Sequence, residues 1–329
     1  MDNEALYYSP SPHIRSPKTT KWIMINVCIA LIPTMIMGII FFGLYALLLV
    51  LLSVFSAAAS EIVFYLILKK PLREIIKDFD FSSCVTGLLI GLTIGTNYPW
   101  YTPVFGSVFA VVAVKLLFGG TGKNIANPAI VGRIFIFISF QSVMGEWLAP
   151  SVSSISGGTL STGATTLVNL LDKKIFPSLS NWDLLLGTGL SGCIGETCKV
   201  AILVGAIYLA ALKIIDIKLP IIYVGVAGLM TVILNGFNFA FFLPSILTGG
   251  LMLGAFFMAT DYVTTPNTKL GNYIYFILLG LLTAGLRQAT QMETVSFAIL
   301  LMNLLVPLFD KIILHKPFGH VKKTKEIKR

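Results

Sequence analysis

Long apolar runs, broken by short polar or Gly- and Pro-bearing stretches, dominate the chain. A helix that crosses a bilayer needs about 20 mainly apolar residues, with about 17–25 tolerated. On that scale the runs at 22–42, 44–68, 83–98, 103–118, 130–148, 184–212, 219–236, 240–259, 272–287 and 294–310 predict about ten transmembrane helices. The third and ninth are short, and the sixth is long, opens with glycines and is a candidate for a broken helix. The expected fold is therefore an all-α polytopic membrane protein. Its parts are a cytoplasmic N-terminal segment (1–21), helices one to five (22–148), a loop (149–183), helices six to ten (184–310) and a basic tail (311–329).

Composition supports that class and removes others. The chain is 56% hydrophobic and 12% charged, where a soluble domain carries about 25% charge, and its mean hydropathy is +0.86. A soluble globular protein is excluded, and so are disorder, collagen and coiled coil. The net charge of +9 would suggest nucleic acid in a soluble protein. Here it reads as the positive-inside bias of membrane topology, with no nucleic-acid partner. With both ends in the cytoplasm, only Lys173, Lys174 and Arg287 fall outside and Lys199 falls within a span. The remaining Lys and Arg lie on or near the cytoplasmic side, Lys115 and Arg133 among them. The tail, with Lys322, Lys323, Lys325, Lys328 and Arg329, reads as an anchor at anionic lipid headgroups. Residues 149–183 then form the one long external loop, rich in Ser, Gly and Thr.

An internal similarity is visible. Thr86-Gly87-Leu88-Leu89-Ile90-Gly91 precedes a polar stretch that ends at Pro103, and Thr248-Gly249-Gly250-Leu251-Met252-Leu253-Gly254 precedes one that ends at Pro266. The first ends outside and the second inside, so the halves would be inverted five-helix copies. Gly/Pro-interrupted spans in inverted repeats commonly bracket a midplane pathway.

Ionisable groups inside a span are costly and functional by default. Glu61 follows the small-residue run Ala57-Ala58-Ala59-Ser60, and Glu196 sits in Gly192-Cys193-Ile194-Gly195-Glu196-Thr197. Asp261 and Asp310 lie at cytoplasmic span ends. These four are ion-path candidates. Interhelical hydrogen bonding is the rival role for the glutamates, and contact with water at a helix end is the rival role for the aspartates. Gly119-Gly120-Thr121-Gly122-Lys123-Asn124 runs on to Asn127 between the fourth and fifth spans. Gly120 and Gly122 would allow close backbone approach by a flat ligand, and Asn124 and Asn127 supply amide donors and acceptors. By its residues alone this segment fits a tight turn or a binding loop equally, and it is no Walker loop. The four cysteines (Cys28, Cys84, Cys193, Cys198) lie in apolar stretches and read as buried thiols; the three histidines lie near the termini. No nucleophile set and no metal-ligand cluster appears, so neither a catalytic triad nor a metal site is expected.

Several stretches together resemble one family, the D-type membrane subunit (RnfD) of the Rnf ion-translocating oxidoreductase complex, which is homologous to the B-type subunit of the sodium-pumping NADH:quinone reductase. They are Ser11-Pro12-His13-Ile14-Arg15-Ser16, Gly119 to Asn124 with Asn127-Pro128-Ala129, Ser161-Thr162-Gly163-Ala164-Thr165, Gly195-Glu196-Thr197, Phe257-Met258-Ala259-Thr260-Asp261, and Ala298 through Asn303 and Pro307 to Asp310. They occur in the family's order over nearly the whole chain.

The resemblance implies a covalent FMN, joined as a phosphodiester to Thr165 by a separate flavin transferase, with Ser161, Thr162, Gly163 and Ala164 as its recognition segment. Thr159 stands where such segments commonly have Asp, and Thr166 where they often have Pro. A second, noncovalent flavin (riboflavin) is implied, and the Gly119–Asn127 loop is its candidate contact. Further implications are subunits A, B, C, E and G as partners and a bacterial inner membrane as the location. The chain would relay electrons in a translocase that couples ferredoxin:NAD⁺ electron transfer to Na⁺ or H⁺ movement, with NAD and ferredoxin docking elsewhere. The rival reading is a stand-alone inverted-repeat channel or secondary transporter without flavin.

Overall fold

The computed structural model describes residues 18–140, 147–149, 161–163, 170 and 181–313. The chain opens with α1 (Thr20–Phe42), whose N-cap Thr19 accepts from the amide of Trp22, and α2 (Leu44–Ile67). Gly43 separates them with φ +80°, a left-handed turn that residues with a Cβ adopt at a cost. A seven-residue helix α3 (Leu72–Asp78) leads to α4 (Ser82–Leu92). Next comes α5, which starts as α-helix (Thr102–Phe109) and continues as π-helix (Ala110–Leu116). Helix α6 (Pro128–Ser139) starts behind N-cap Asn127, with proline at its first position. A small ribbon follows: β1 (Trp147–Ala149) pairs antiparallel with β2 (Ser161–Gly163), Trp147 opposite Gly163.

The second half holds α7 (Asn181–Leu186), α8 (Lys199–Ala211) and α9 (Lys218–Leu234). A bent pair follows: a 3-10 turn (Phe239–Phe241) with α10 (Phe242–Leu247), then α11 (Leu251–Leu253), which continues as π-helix (Gly254–Met258). Helices α12 (Lys269–Thr290) and α13 (Val295–Ile312) close the described chain.

Apolar helical stretches occupy the positions of the expected spans. Among the described residues four helices (α1, α2, α12, α13) are long and apolar enough to cross a membrane, or five if the pair bent by 68° is one span. The other apolar helices run to 10–17 residues, shorter than the expected ranges. The 83–98 run is helical only to Leu92, where the Thr93 hydroxyl turns back onto the carbonyls of Leu89 and Ile90. The 184–212 run breaks between Leu186 and Lys199. Both breaks solve one problem together, because unwound backbone away from water must find partners. The amides of Ile194 and Gly195 donate to the carbonyls of Ile94 and Leu92 at 3.0 and 2.7 Å. The β1–β2 ribbon is a second departure from an all-helical chain.

Packing relies on close helix approach. A Cβ at Gly87 of α4 would lie 2.7 Å from the Cα of Val54 in α2, and one at Gly280 of α12 would lie 2.9 Å from the Cβ of Val226 in α9. Small residues at such crossings let backbones meet, which drives association where the surroundings are as apolar as the side chains. Ser53 of α2 adds polar ties, donating to the Gly87 carbonyl at 2.6 Å and sharing a hydrogen bond with Ser107 of α5 at 2.8 Å. Helix α2 packs on α4 and α5, α9 packs on α10 and α12, α1 meets α8, and α6 meets α13.

Candidate functional site

Two buried charge clusters and one cavity gather most of the chemistry. In the first cluster the wider π turn of α5 carries Lys115, 1% exposed. Its ammonium lies 2.8 Å from Glu61 of α2, 2.6 Å from the Ser82 hydroxyl and 3.0 Å from the Ser83 hydroxyl. These partners use all three ammonium protons. Asp80 stands 3.7 Å away and accepts from the Ser82 hydroxyl and amide. Burial pushes the Asp80 carboxyl up, but the Lys115 charge and the Ser82 and Thr121 hydroxyls outweigh it and hold it below the usual range.

The cavity, about 90 Å³, lies on the other side of Lys115. Its apolar walls include Met24 of α1, Leu89 of α4 and Phe256 and Phe257 from the second π-helical stretch. Its polar rim holds Ser82, Thr121, Asn124 and Asp261. Both π-helical stretches thus deliver side chains here, and π turns within helices concentrate at functional sites. The Oδ1 atom of Asn124 is buried without a hydrogen-bond partner, a need that a ligand with an N–H can fill. Asn127 also lines the cavity, but its amide is engaged: Oδ1 caps Ala129 and Nδ2 donates to the Met258 carbonyl at 3.1 Å. Gly120 faces a neighbouring cleft of about 240 Å³ that also contains Glu61, Asp78 and Asp80. Gly122 is exposed, with φ +91° and nothing within 4 Å of a would-be Cβ; it serves the turn. Burial lifts the Asp261 carboxyl to about 6, against the pull of the Val263 amide and the Thr264 hydroxyl.

The second cluster lies away from this cavity. Glu196 pairs with Arg133 of α6 at 3.1 Å, and the Cys193 thiol lies 3.9 Å from the same guanidinium. Lys199 donates to the carbonyls of Glu196 and Gly249, the latter at 2.9 Å. Glu293 pairs with Arg287 at 2.8 Å and accepts from the Gly250 amide at 2.9 Å. The bend between α10 and α11 is held between these groups. A Cβ at Gly250 would fall 2.5 Å from Glu196 Oε1, and one at Gly249 would collide with Glu293.

The sequence candidates therefore separate. Glu61 sits in the first cluster, Glu196 in the second and Asp261 at the cavity. Asp310 accepts from the Asn267 amide at 2.9 Å and from its side chain at 2.8 Å, tying α13 to the loop before α12. Ser161, Thr162 and Gly163 form β2; Ala164 and Thr165 lie outside the described residues. Sequence reasoning missed Glu293 and the counter-ions Lys115 and Arg133, which charge counting had assigned to the cytoplasmic side. Their signal was present: each is a lone cation within an apolar run. Among the described residues no group of His, Cys, Asp and Glu has metal-site geometry, and all four cysteines are free.

Residues 7–319 match the model of the NQR2, RnfD, RnfE family. The chain is 38% identical over its whole length to the D-type subunit of the Na(+)-translocating ferredoxin:NAD(+) oxidoreductase complex of Acetobacterium woodii, covering all of that protein. It is 33% identical to the D-type subunit of the proton-translocating ferredoxin:NAD(+) oxidoreductase complex of Clostridium ljungdahlii, over 94% of this chain and 95% of the relative. A third relative, the D-type subunit of the ion-translocating oxidoreductase complex of Stutzerimonas stutzeri, is 35% identical over 90% of this chain and 91% of its own.

Proposed function

Because the chain belongs to the NQR2, RnfD, RnfE family, we propose that it is the D-type membrane subunit of an Rnf complex. In this reading it relays electrons between a covalent FMN on Thr165 and a noncovalent flavin whose pyrimidine edge enters the cavity beside Lys115. The complex as a whole couples ferredoxin:NAD⁺ electron transfer to ion movement, as the names of the full-length relatives describe. Subunits A, B, C, E and G and a flavin transferase are the partners, in a bacterial inner membrane. Ten crossings with both ends in the cytoplasm and the 149–183 loop outside complete the picture. An inverted repeat is supported by the matching neighbours of the two halves: α2 packs on α4 and α5 as α9 packs on α10 and α12.

The observation that carries the flavin reading is the unpartnered Oδ1 of Asn124, set in a cavity with aromatic walls and a polar rim. The pyrimidine edge of a flavin presents an N–H between two carbonyls, and a side-chain amide meets it with an acceptor and a donor. Phe256 and Phe257 offer apolar contact to the ring faces. When bound, a flavin passes electrons one at a time; the chain supplies placement and electrostatics. Lys115 contributes a fixed positive charge whose partners hold it still. For the covalent group, β2 leaves Ser161–Gly163 extended just before Ala164 and Thr165, a form a transferase can grip. Glu61 and Asp261, which flank Lys115 and the cavity, are the ion-path candidates best placed to respond to charge there. The relatives are named for Na⁺ in one case and protons in another, and the ion here is left between the two.

The test is direct. With the transferase co-expressed, the denatured chain should give a fluorescent band under ultraviolet light. Thr165→Ala should abolish it, while Asn124→Ala should leave the band and lower the flavin released on denaturation. A band that persists without Thr165 removes the covalent site. No flavin in either fraction returns the chain to the transporter reading.

A further inference from the structure

The short helix α3 hangs below the end of α2, and its side chains divide into three faces. At about 100° per residue, Leu72 and Ile76 point one way, Arg73 and Lys77 point to one side of them, and Glu74 and Asp78 point roughly opposite. Leu72 and Ile76 are 52% and 61% exposed, while Ile75 is 4% exposed and turns inward. The exposed apolar pair follows closely in sequence on the apolar end of α2, where Leu66, Ile67 and Leu68 are all exposed. Lys69 adds an exposed cation at the junction, while Lys70 turns over the Tyr65 ring, 4.5 Å from its centroid, at the rim of the neighbouring cleft. The acidic side points elsewhere: Asp78 and the buried Ile75 line the cleft of about 240 Å³ that also contains Glu61.

We infer that α3 is an interfacial helix that docks on anionic lipid headgroups, with Leu72 and Ile76 dipping into the acyl boundary and Lys69, Arg73 and Lys77 at the phosphates. Two observations choose lipid over another occupant. The exposed apolar pair comes only four residues after the exposed apolar end of a helix long enough to span a membrane. The basic residues border that pair while the acidic ones turn away, which is the charge order an anionic surface selects. Docking would also fix α3 as one wall of the cleft above Glu61, so lipid composition would act on access to the Glu61–Lys115 pair. The proposal rests on α2 crossing the bilayer and not on the flavin reading.

The test uses the full chain in nanodiscs of phosphatidylcholine with phosphatidylglycerol. Leu72→Trp, read against the parent chain to subtract native tryptophan, should add emission that brominated phosphatidylglycerol quenches. Ile76→Trp should do the same, guarding against failure of one variant. Adding Arg73→Gln and Lys77→Gln should weaken the quenching, by about fivefold in lipid association per charge removed. Absence of quenching in both tryptophan variants overturns the proposal in favour of a protein partner on this face. Equal quenching by brominated phosphatidylcholine, or quenching insensitive to the charge changes, overturns the anionic preference. Flavin content is read in parallel and should not change, so failure here is distinguishable from failure of the electron-relay reading.

Discussion

Arg133 and Glu196 meet at 3.1 Å although 63 residues separate them in sequence. One stands mid-helix in α6 and the other in the unwound segment before α8, so the pair joins the two halves of the molecule at an unwound break. Removing one partner of a buried pair leaves a bare charge, which costs about 3–5 kcal/mol, whereas replacing both by apolar residues is often neutral. Glu196→Gln or Arg133→Met alone should therefore lower thermal stability in detergent sharply, and Arg133→Met with Glu196→Leu should recover most of it. A double variant as unstable as the singles combined would remove the pairing argument.

The first cluster should behave differently on its two sides. Lys115→Met strands Glu61 and should cost about 3–5 kcal/mol. Ser83→Ala removes one neutral donor to that carboxylate and should cost about 1–3 kcal/mol. Chemical denaturation of the full chain, followed by helical signal, separates the two. Similar losses would mean that the lysine is not the main partner.

Glycine substitutions discriminate filled from open space. Gly250→Ala places a methyl group 2.5 Å from Glu196 Oε1 and should cost about 1–3 kcal/mol by overpacking. Gly225 of α9 has nothing within 4 Å of a would-be Cβ. Gly225→Ala should be neutral or stabilising by up to about 1 kcal/mol, through helix propensity. Melting temperatures of the two variants should move in opposite directions or differ clearly in size.

Asp261 gives a pH prediction. Its carboxyl titrates near 6 in the folded chain against 3.8 for the free group. The folded state therefore holds the proton over a range where the unfolded state has lost it, and stability falls as pH rises from about 4 to about 6. Asp261→Asn should remove that component, so the stability gap between variant and wild type should widen in favour of the variant as pH rises through this window. A gap constant with pH would place the titration elsewhere.

Sequence pattern located the apolar segments and picked out Glu61 and Glu196, because hydrophobic runs and intramembrane carboxylates both follow from the cost of polarity in lipid. It did not show where helices stop. The stop at Leu92 depends on Thr93 turning back on its own helix and on carbonyls that find the Ile194 and Gly195 amides some hundred residues later, a pairing no local window contains. The partners Lys115 and Arg133 escaped for the same reason: a lone cation in an apolar run has meaning only once its carboxylate is in place. The Gly-rich loop divided unpredictably as well. Asn124 reaches the cavity with an open acceptor, while Asn127, three residues on, spends its amide on a helix cap and a tie to the Met258 carbonyl. The sequence weighs turn and binding loop equally; the structure gives Asn127 a structural task and leaves the Asn124 acceptor open.

The π-helical stretch that carries Lys115 is in effect a helix with one residue too many for its hydrogen-bond frame. Closing the same residues into ordinary α geometry, with none removed, would swing everything beyond the stretch around the helix axis. The backbone would gain regularity, and the ammonium would leave Glu61 for another face. Loss of one codon within the stretch should instead let the helix regularise with Lys115 still turned toward Glu61, and be milder than the same loss in an ordinary helix.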